Sequence, residues 1–191
     1  MTASTRTLRW RTAASDEAAL GLEHVELKVA ETGISAEGVV VAGAGATAFG
    51  ARWRITVDPD WTAFRSLHFT RLGGATVALR HDGYGEWTDG EGKKRKEFAG
   101  LSDCLVEGSP FGLVALLARL GAKAAKTQSL DVVFLAVPSL DLARASIVLK
   151  PLEPGRRFAL TRAGETVEID VDADGLVTRW GDGLAAVDLA G

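Results

Sequence analysis

The side chains that could do chemistry in this chain are few and widely spaced. Glu23 and His24 adjoin in "GLEHVEL", and a carboxylate beside an imidazole is acid–base equipment. Adjacent residues of a strand point to opposite faces, however, so the two cannot work as a pair without partners from elsewhere. Asp103 is a second acid, and Glu23 with Asp103 would suit glycoside chemistry if the carboxylates faced each other about 5 to 9 Å apart. His81 and Asp82 open "HDGYG", a turn composition in which Asp bonds its own backbone. Cys104 is the one cysteine; it is a nucleophile if His24 or His81 lies nearby in space, and otherwise a small apolar residue of the core. Gly-x-Ser-x-Gly, His-x-x-x-His and Cys-x-x-Cys spacings are absent. The glycines of "GAGATAFG" lead into a strand, so no helix dipole is available for phosphate. No metal site, cofactor or catalytic set is expected from this inventory.

Two further groups of residues suit binding better than catalysis. Trp10, Trp53, Trp61, Trp87 and Trp180 stand beside a single Tyr, and tryptophan can fill a core, line a pocket or stack on a sugar face. Trp87, next to a Gly-rich turn, is the candidate for exposure. Lys93, Lys94, Arg95 and Lys96 form the one basic block, which reads as a solvated hairpin tip or a contact for anionic lipid headgroups.

Strands must position most of these groups. "HVELKVA", "RWRITVD", "TVALR" and "TVEIDVD" alternate apolar and polar residues, as half-buried strands of an antiparallel sheet do. "HDGYG", "TDGEG", "EPGRR" and "DADG" supply the turns between them. One segment is helical: Ser109 suits an N-cap and Pro110 the first helical position, and Phe111, Leu113, Val114, Leu116, Leu117 and Leu120 follow before Gly121 stops it. Apolar on nearly every side, this helix must be buried on nearly every side. "DEAALGLEH" predicts a short helical turn near the start.

With 191 residues and no compositional break, the pattern predicts one domain over 1–191. A net charge of -3 supplies no general attraction to nucleic acid. The first twenty residues lack a signal-peptide core, no apolar run reaches the roughly 20 residues of a membrane span, and a lone cysteine fits a reducing compartment; the expected location is cytoplasmic.

At the level of the whole chain, "RW" at Arg9, "GLEHVEL" from Gly21, "ARWRITVDPDW" from Ala51, "LRHDGYGEWTDGEG" from Leu79, "LSDC" before "SPF", and "VDADGLVTRW" from Val171 together resemble the bacterial putative glycolipid-binding family. The resemblance implies a long antiparallel sheet curled into a half-barrel with helical material against it, similar to lipid carriers of the bacterial envelope. Two departures stand out. Leu105 occupies a position where the family pattern has an acid, and "GLVALLARL" replaces a stretch with polar Thr and Asn and a further Pro.

Three classes of function follow. The first is a carrier that holds a lipid, glycolipid or other apolar molecule in the concave face, with Glu23, His24, Trp87, Asp103, Phe111, Leu113 and Leu117 around the ligand. The second is a hydrolase or isomerase acting in the same cavity through Glu23, His24 and Asp103. The third is a protein-interaction module. The fold expected for all three is mainly β, a curved antiparallel half-barrel with one main helix against its concave face.

Overall fold

The computed structural model describes residues 3–12 and 21–187. Its strands are β1 (Ser4–Thr12), β2 (Gly21–Ala30), β3 (Gly33–Ala42), β4 (Phe49–Val57), β5 (Phe64–Arg71), β6 (Thr76–His81), β7 (Trp87–Asp89), β8 (Cys104–Val106), β9 (Gln128–Leu135), β10 (Leu142–Glu153), β11 (Arg157–Arg162), β12 (Glu165–Val171), β13 (Val177–Trp180) and β14 (Leu184–Ala186), with helix α1 (Phe111–Leu120) between β8 and β9. All belong to one 14-stranded sheet in the order β7-β6-β5-β4-β3-β2-β1-β14-β13-β12-β11-β10-β9-β8. The first and last of the described strands therefore meet in the middle of the sheet, Trp10 opposite Ala186, and β7 and β8 form its edges.

Neighbours pair antiparallel, as the alternation predicted, with one exception: β8 runs parallel to β9. The helix explains it, because a parallel neighbour needs a crossover connection and α1 supplies one. Both edge strands are three residues long, and short edges resist unwanted pairing. The chain between them serves both edges: Arg95 N–H donates to Trp87 O, Gly100 N–H to Gly85 O, and Asp103 O accepts from Val133 N–H.

Alternation puts Glu23, Val25 and Leu27 of β2 on the same inner face as Trp53, Ile55 and Val57 of β4. The inner face carries two packed clusters. One gathers Trp10, Trp53, Phe64, Phe69, Trp87 and Phe98 with Phe111 of the helix. The other gathers Val132, Ile147, Leu149, Phe158, Leu160 and Ile169 with Leu113, Val114, Leu116, Leu117 and Leu120. The helix thus bridges the two, and of its residues only Ala118 and Arg119 are more than slightly accessible. Gly112 allows the close approach: a Cβ there would lie 2.9 Å from the Cys104 carbonyl oxygen. Gly121, at φ 50, closes the helix with its N–H on Leu117 O.

Ser109 corrects one expectation. Pro110, already at helical φ and ψ, occupies the N-cap position, and no side chain caps the helix; the Ser109 hydroxyl is used elsewhere. The helical turn expected in "DEAALGLEH" also gives way: Gly21–His24 belong to β2, and Asp16–Leu20 lie outside the described residues. Among the described residues no helix is long and apolar enough to cross a membrane.

Candidate functional site

The pleat of β2 separates Glu23 from His24. Glu23 points inward and is 3% exposed. Its Oε1 accepts from Trp53 Nε1–H at 2.8 Å and from the Ser109 hydroxyl at 2.7 Å, while Oε2 has no hydrogen-bond partner among the described residues. Burial pushes this carboxyl up to about 7, against the two hydrogen bonds that pull it down. Gly38 of β3, opposite Trp53, makes room for the donor, since a Cβ there would overlap the Trp53 ring.

His24 lies on the outer face. Its Nδ1 accepts from Arg9 Nε–H at 2.9 Å, and its Nε2 is 3.0 Å from Glu26 Oε1. Asp103 is buried at the start of β8 and holds Arg119, in the last turn of α1, through bonds of 2.8 and 2.5 Å. The three residues from which acid–base chemistry was to be assembled therefore do not converge. Glu23 and Asp103 are helix anchors, one holding the residue that leads into α1 and the other the residue near its end.

Trp87 is also corrected. It is 1% exposed, donates from Nε1 to Leu101 O at 2.9 Å and packs on His81 with ring centroids 4.7 Å apart. His81 is itself buried, with Nδ1–H on Phe64 O and Nε2 accepting from Gly85 N–H. Asp82 performs turn duty, its Oδ1 accepting from Tyr84 and Glu86 N–H, which holds its pKa below the ordinary carboxylate value. Burial pushes the Cys104 thiol up, helped by the charge of Asp103, the reverse of what a nucleophile needs. In the basic block, Lys94 pairs with Glu86 and Arg95 with Glu97, both at 2.6 Å.

Two pockets adjoin the aliphatic cluster of the inner face, and neither contains Glu23, His24, Trp87 or Asp103. The first, about 330 Å³, lies between the second half of α1 and the strand ends around Phe158, Val171 and Leu176; Val114, Leu117 and Trp61 complete its apolar wall. Leu117 is the one residue singled out from the sequence that lines it. Phe111 and Leu113 are fully enclosed instead, with Phe111 between Trp53 and Trp61 at 5.6 and 6.3 Å. Trp61 was not separated from the other tryptophans by its sequence. The turn that carries it is unusual, Asp60 and Trp61 both having φ 59, and consecutive left-handed non-glycine residues store strain of about 1–3 kcal/mol each. Asp174, at the rim, pairs with Arg6 at 2.7 Å.

The second pocket, about 200 Å³, sits farther along β11 and β12. Leu105, Ile147 and Leu160 are its buried floor, and Trp180, Phe134, Glu107, Arg162 and Glu165 surround it. It shares no lining residue with the first.

Comparison with known proteins agrees with this architecture. No curated protein matches the chain. A crystal structure of a DUF1089 family protein from Pseudomonas aeruginosa superposes with a TM-score of 0.71 over 84% of this chain and 88% of that one, at 22% identity, a likeness of fold. The model of the family described as "Putative glycolipid-binding" matches residues 7–185, nearly the whole of the sheet and its helix, and the chain belongs to that family.

Proposed function

We propose that this protein binds an amphipathic molecule of the glycolipid class and buries its apolar tail in the pocket beside Leu117. The observation that carries the proposal is the lining of that pocket. Val114, Leu117, Phe158, Val171, Leu176 and Trp61 offer an apolar wall, and the charged group at the rim, Asp174, is already paired with Arg6. Ligand pockets typically span about 300–1,000 Å³, so 330 Å³ stands at the small end and suits one acyl or alkyl chain rather than several. Each methylene buried contributes roughly 0.8 kcal/mol, enough for a tail to hold without a catalytic group. The dispersal of Glu23, His24 and Asp103 removes the set from which a hydrolase or isomerase would be built. A protein-interaction role gains no specific support from the concave face.

The test is organic extraction and native mass spectrometry of the purified protein, followed by titration with octyl glucoside. A tail-bearing species is expected to co-purify. Leu117→Trp should fill the pocket, abolish octyl glucoside binding and cost less than about 1.5 kcal/mol, because the added ring enters existing space rather than overpacking a solid core. If nothing is extracted and Leu117→Trp unfolds the protein, the pocket is closed in solution and the proposal fails.

A further inference from the structure

The second pocket differs from the first in kind. Its floor is apolar, but its rim holds two carboxylates and a guanidinium, so an alkyl chain lodged there would strip water from three charged groups without replacing their hydrogen bonds. The charges of Glu107, Glu165 and Arg162 are unequal in number, two negative against one positive, which disfavours a phosphate or sulfate group.

Arg162 is held in a defined pose. Its guanidinium carbon lies 4.0 Å from the Phe134 ring centroid, so one face is covered and its N–H edge remains available. The Arg162 Nη2 to Glu107 Oε1 distance is 3.7 Å, too long for a direct hydrogen bond. Glu107 is oriented from its other side, Oε2 accepting from Val137 N–H at 2.9 Å. A carboxylate acceptor and a guanidinium donor therefore stand side by side at the rim, 3.7 Å apart. Glu165 begins β12 and Arg162 ends β11, brought together by the turn at Ala163 (φ 51) and Gly164 (φ 85). Trp180 on β13 pairs with Ile169 in register and is half-buried beside Val167, forming part of the wall.

We infer that this pocket takes a single neutral pyranose ring, its apolar face against the Trp180 indole and its hydroxyls bonded to Glu107, Arg162 and Glu165. Adjacent sugar hydroxyls each donate and accept, which matches a carboxylate oxygen beside a guanidinium N–H. An aromatic side chain supplies the apolar platform. The volume of about 200 Å³ is below the range typical of drug-sized ligands, consistent with one ring rather than an oligosaccharide. A quaternary ammonium group would be drawn by the net negative rim but finds the Phe134 face already covered by Arg162. The inference deepens the glycolipid reading and rests on it: the ring site assigned here is separate from the apolar pocket beside Leu117, with which it shares no lining residue.

Methyl glycosides, which have a ring and no tail, isolate this site. Saturation-transfer NMR of the wild-type protein with methyl glucosides, galactosides, mannosides and N-acetylglucosaminides should show transfer from at least one, strongest at the C–H face of the ring. Trp180→Ala and Arg162→Gln, each checked for cooperative thermal unfolding, should weaken that binding about tenfold or more, and Leu117→Trp should leave it unchanged. Absence of transfer from every glycoside overturns the site. So does transfer that survives both Trp180→Ala and Arg162→Gln, or binding of glycerophosphocholine or inorganic phosphate in place of the glycosides. Methyl glycoside binding together with octyl glucoside binding that ignores Leu117→Trp would sink the tail reading and leave the ring site standing.

Discussion

Over β2–β7 the concave face is filled by rings: Trp53 meets Phe111 at 5.6 Å and Phe64 meets Trp87 at 5.7 Å. Over β9–β13 it is filled mainly by leucine, valine and isoleucine together with most of the helix, and both pockets lie there. β2 and β4 in the first half and β10, β11 and β12 in the second follow the same alternation, so the difference lies in which side chains they bury. Trp61 and Trp180, which line these two pockets, are half-buried, while Trp10, Trp53 and Trp87 are enclosed.

The sharpest way to break this comparison is to cut one residue from each half. Phe111→Ala removes a ring held between two tryptophans and should cost about 4 kcal/mol in urea denaturation, whereas Leu117→Ala, at the edge of an existing void, should cost about 2 kcal/mol. Equal losses would mean that the second half is packed as tightly as the first.

Glu23 gives the next largest effect, and it depends on pH. Its folded pKa of about 7 lies above the ordinary 4.5, so the folded state holds the proton more tightly than the unfolded one. The associated stability is fully present below pH 4.5 and disappears as pH rises through 7. At 1.36 kcal/mol per unit, that amounts to about 3 kcal/mol. Glu23→Gln keeps an oxygen for Trp53 and Ser109 and cannot ionise. The variant should therefore gain about 3 kcal/mol on the wild type between pH 4.5 and pH 8, measured as the difference between their denaturation curves. A constant difference across that range would show that the carboxyl titrates normally and that the latch on Ser109 is looser than the geometry indicates.

Gly112 tests the contact that joins the helix to β8. Alanine is the better helix former by about 1 kcal/mol, yet its Cβ would press on the Cys104 carbonyl at 2.9 Å and on Leu105 Cα at 3.2 Å. Backbone cannot swing aside as a flexible side chain does, so Gly112→Ala should destabilise by about 1 kcal/mol net. A stabilising result would mean that α1 can lift from β8.

Several features were legible in the sequence. Period-two runs marked β2, β4, β6 and β12 and the face each buries, and "SPFGLVALLARLG" marked α1 and its stop at Gly121. The candidate site was less legible. Glu23 and Asp103 stood out as acids in a poor inventory, but residue type cannot distinguish a catalytic carboxylate from one that anchors a helix. The partners that decide it, Ser109 and Arg119, lie 86 and 16 residues away. Trp87 looked exposed because its neighbours are glycines, and is buried because the chain leading to β8 folds back over it, with Leu101 O accepting its N–H.

Local pattern by itself determined that this chain forms a mostly antiparallel sheet with one buried helix, because side-chain alternation and the burial of apolar faces are set within a few residues. Only the tertiary structure decided where the concavity is full and where it is hollow. A void is a property of facing surfaces: Leu117 with Phe158 and Leu176, or Trp180 with Glu107 and Arg162, become neighbours only after β13 and β14 return to the middle of the sheet beside β1 and the helix settles against β8. Those distances in sequence carry no local signal, and so the pockets appear only when the whole sheet is assembled.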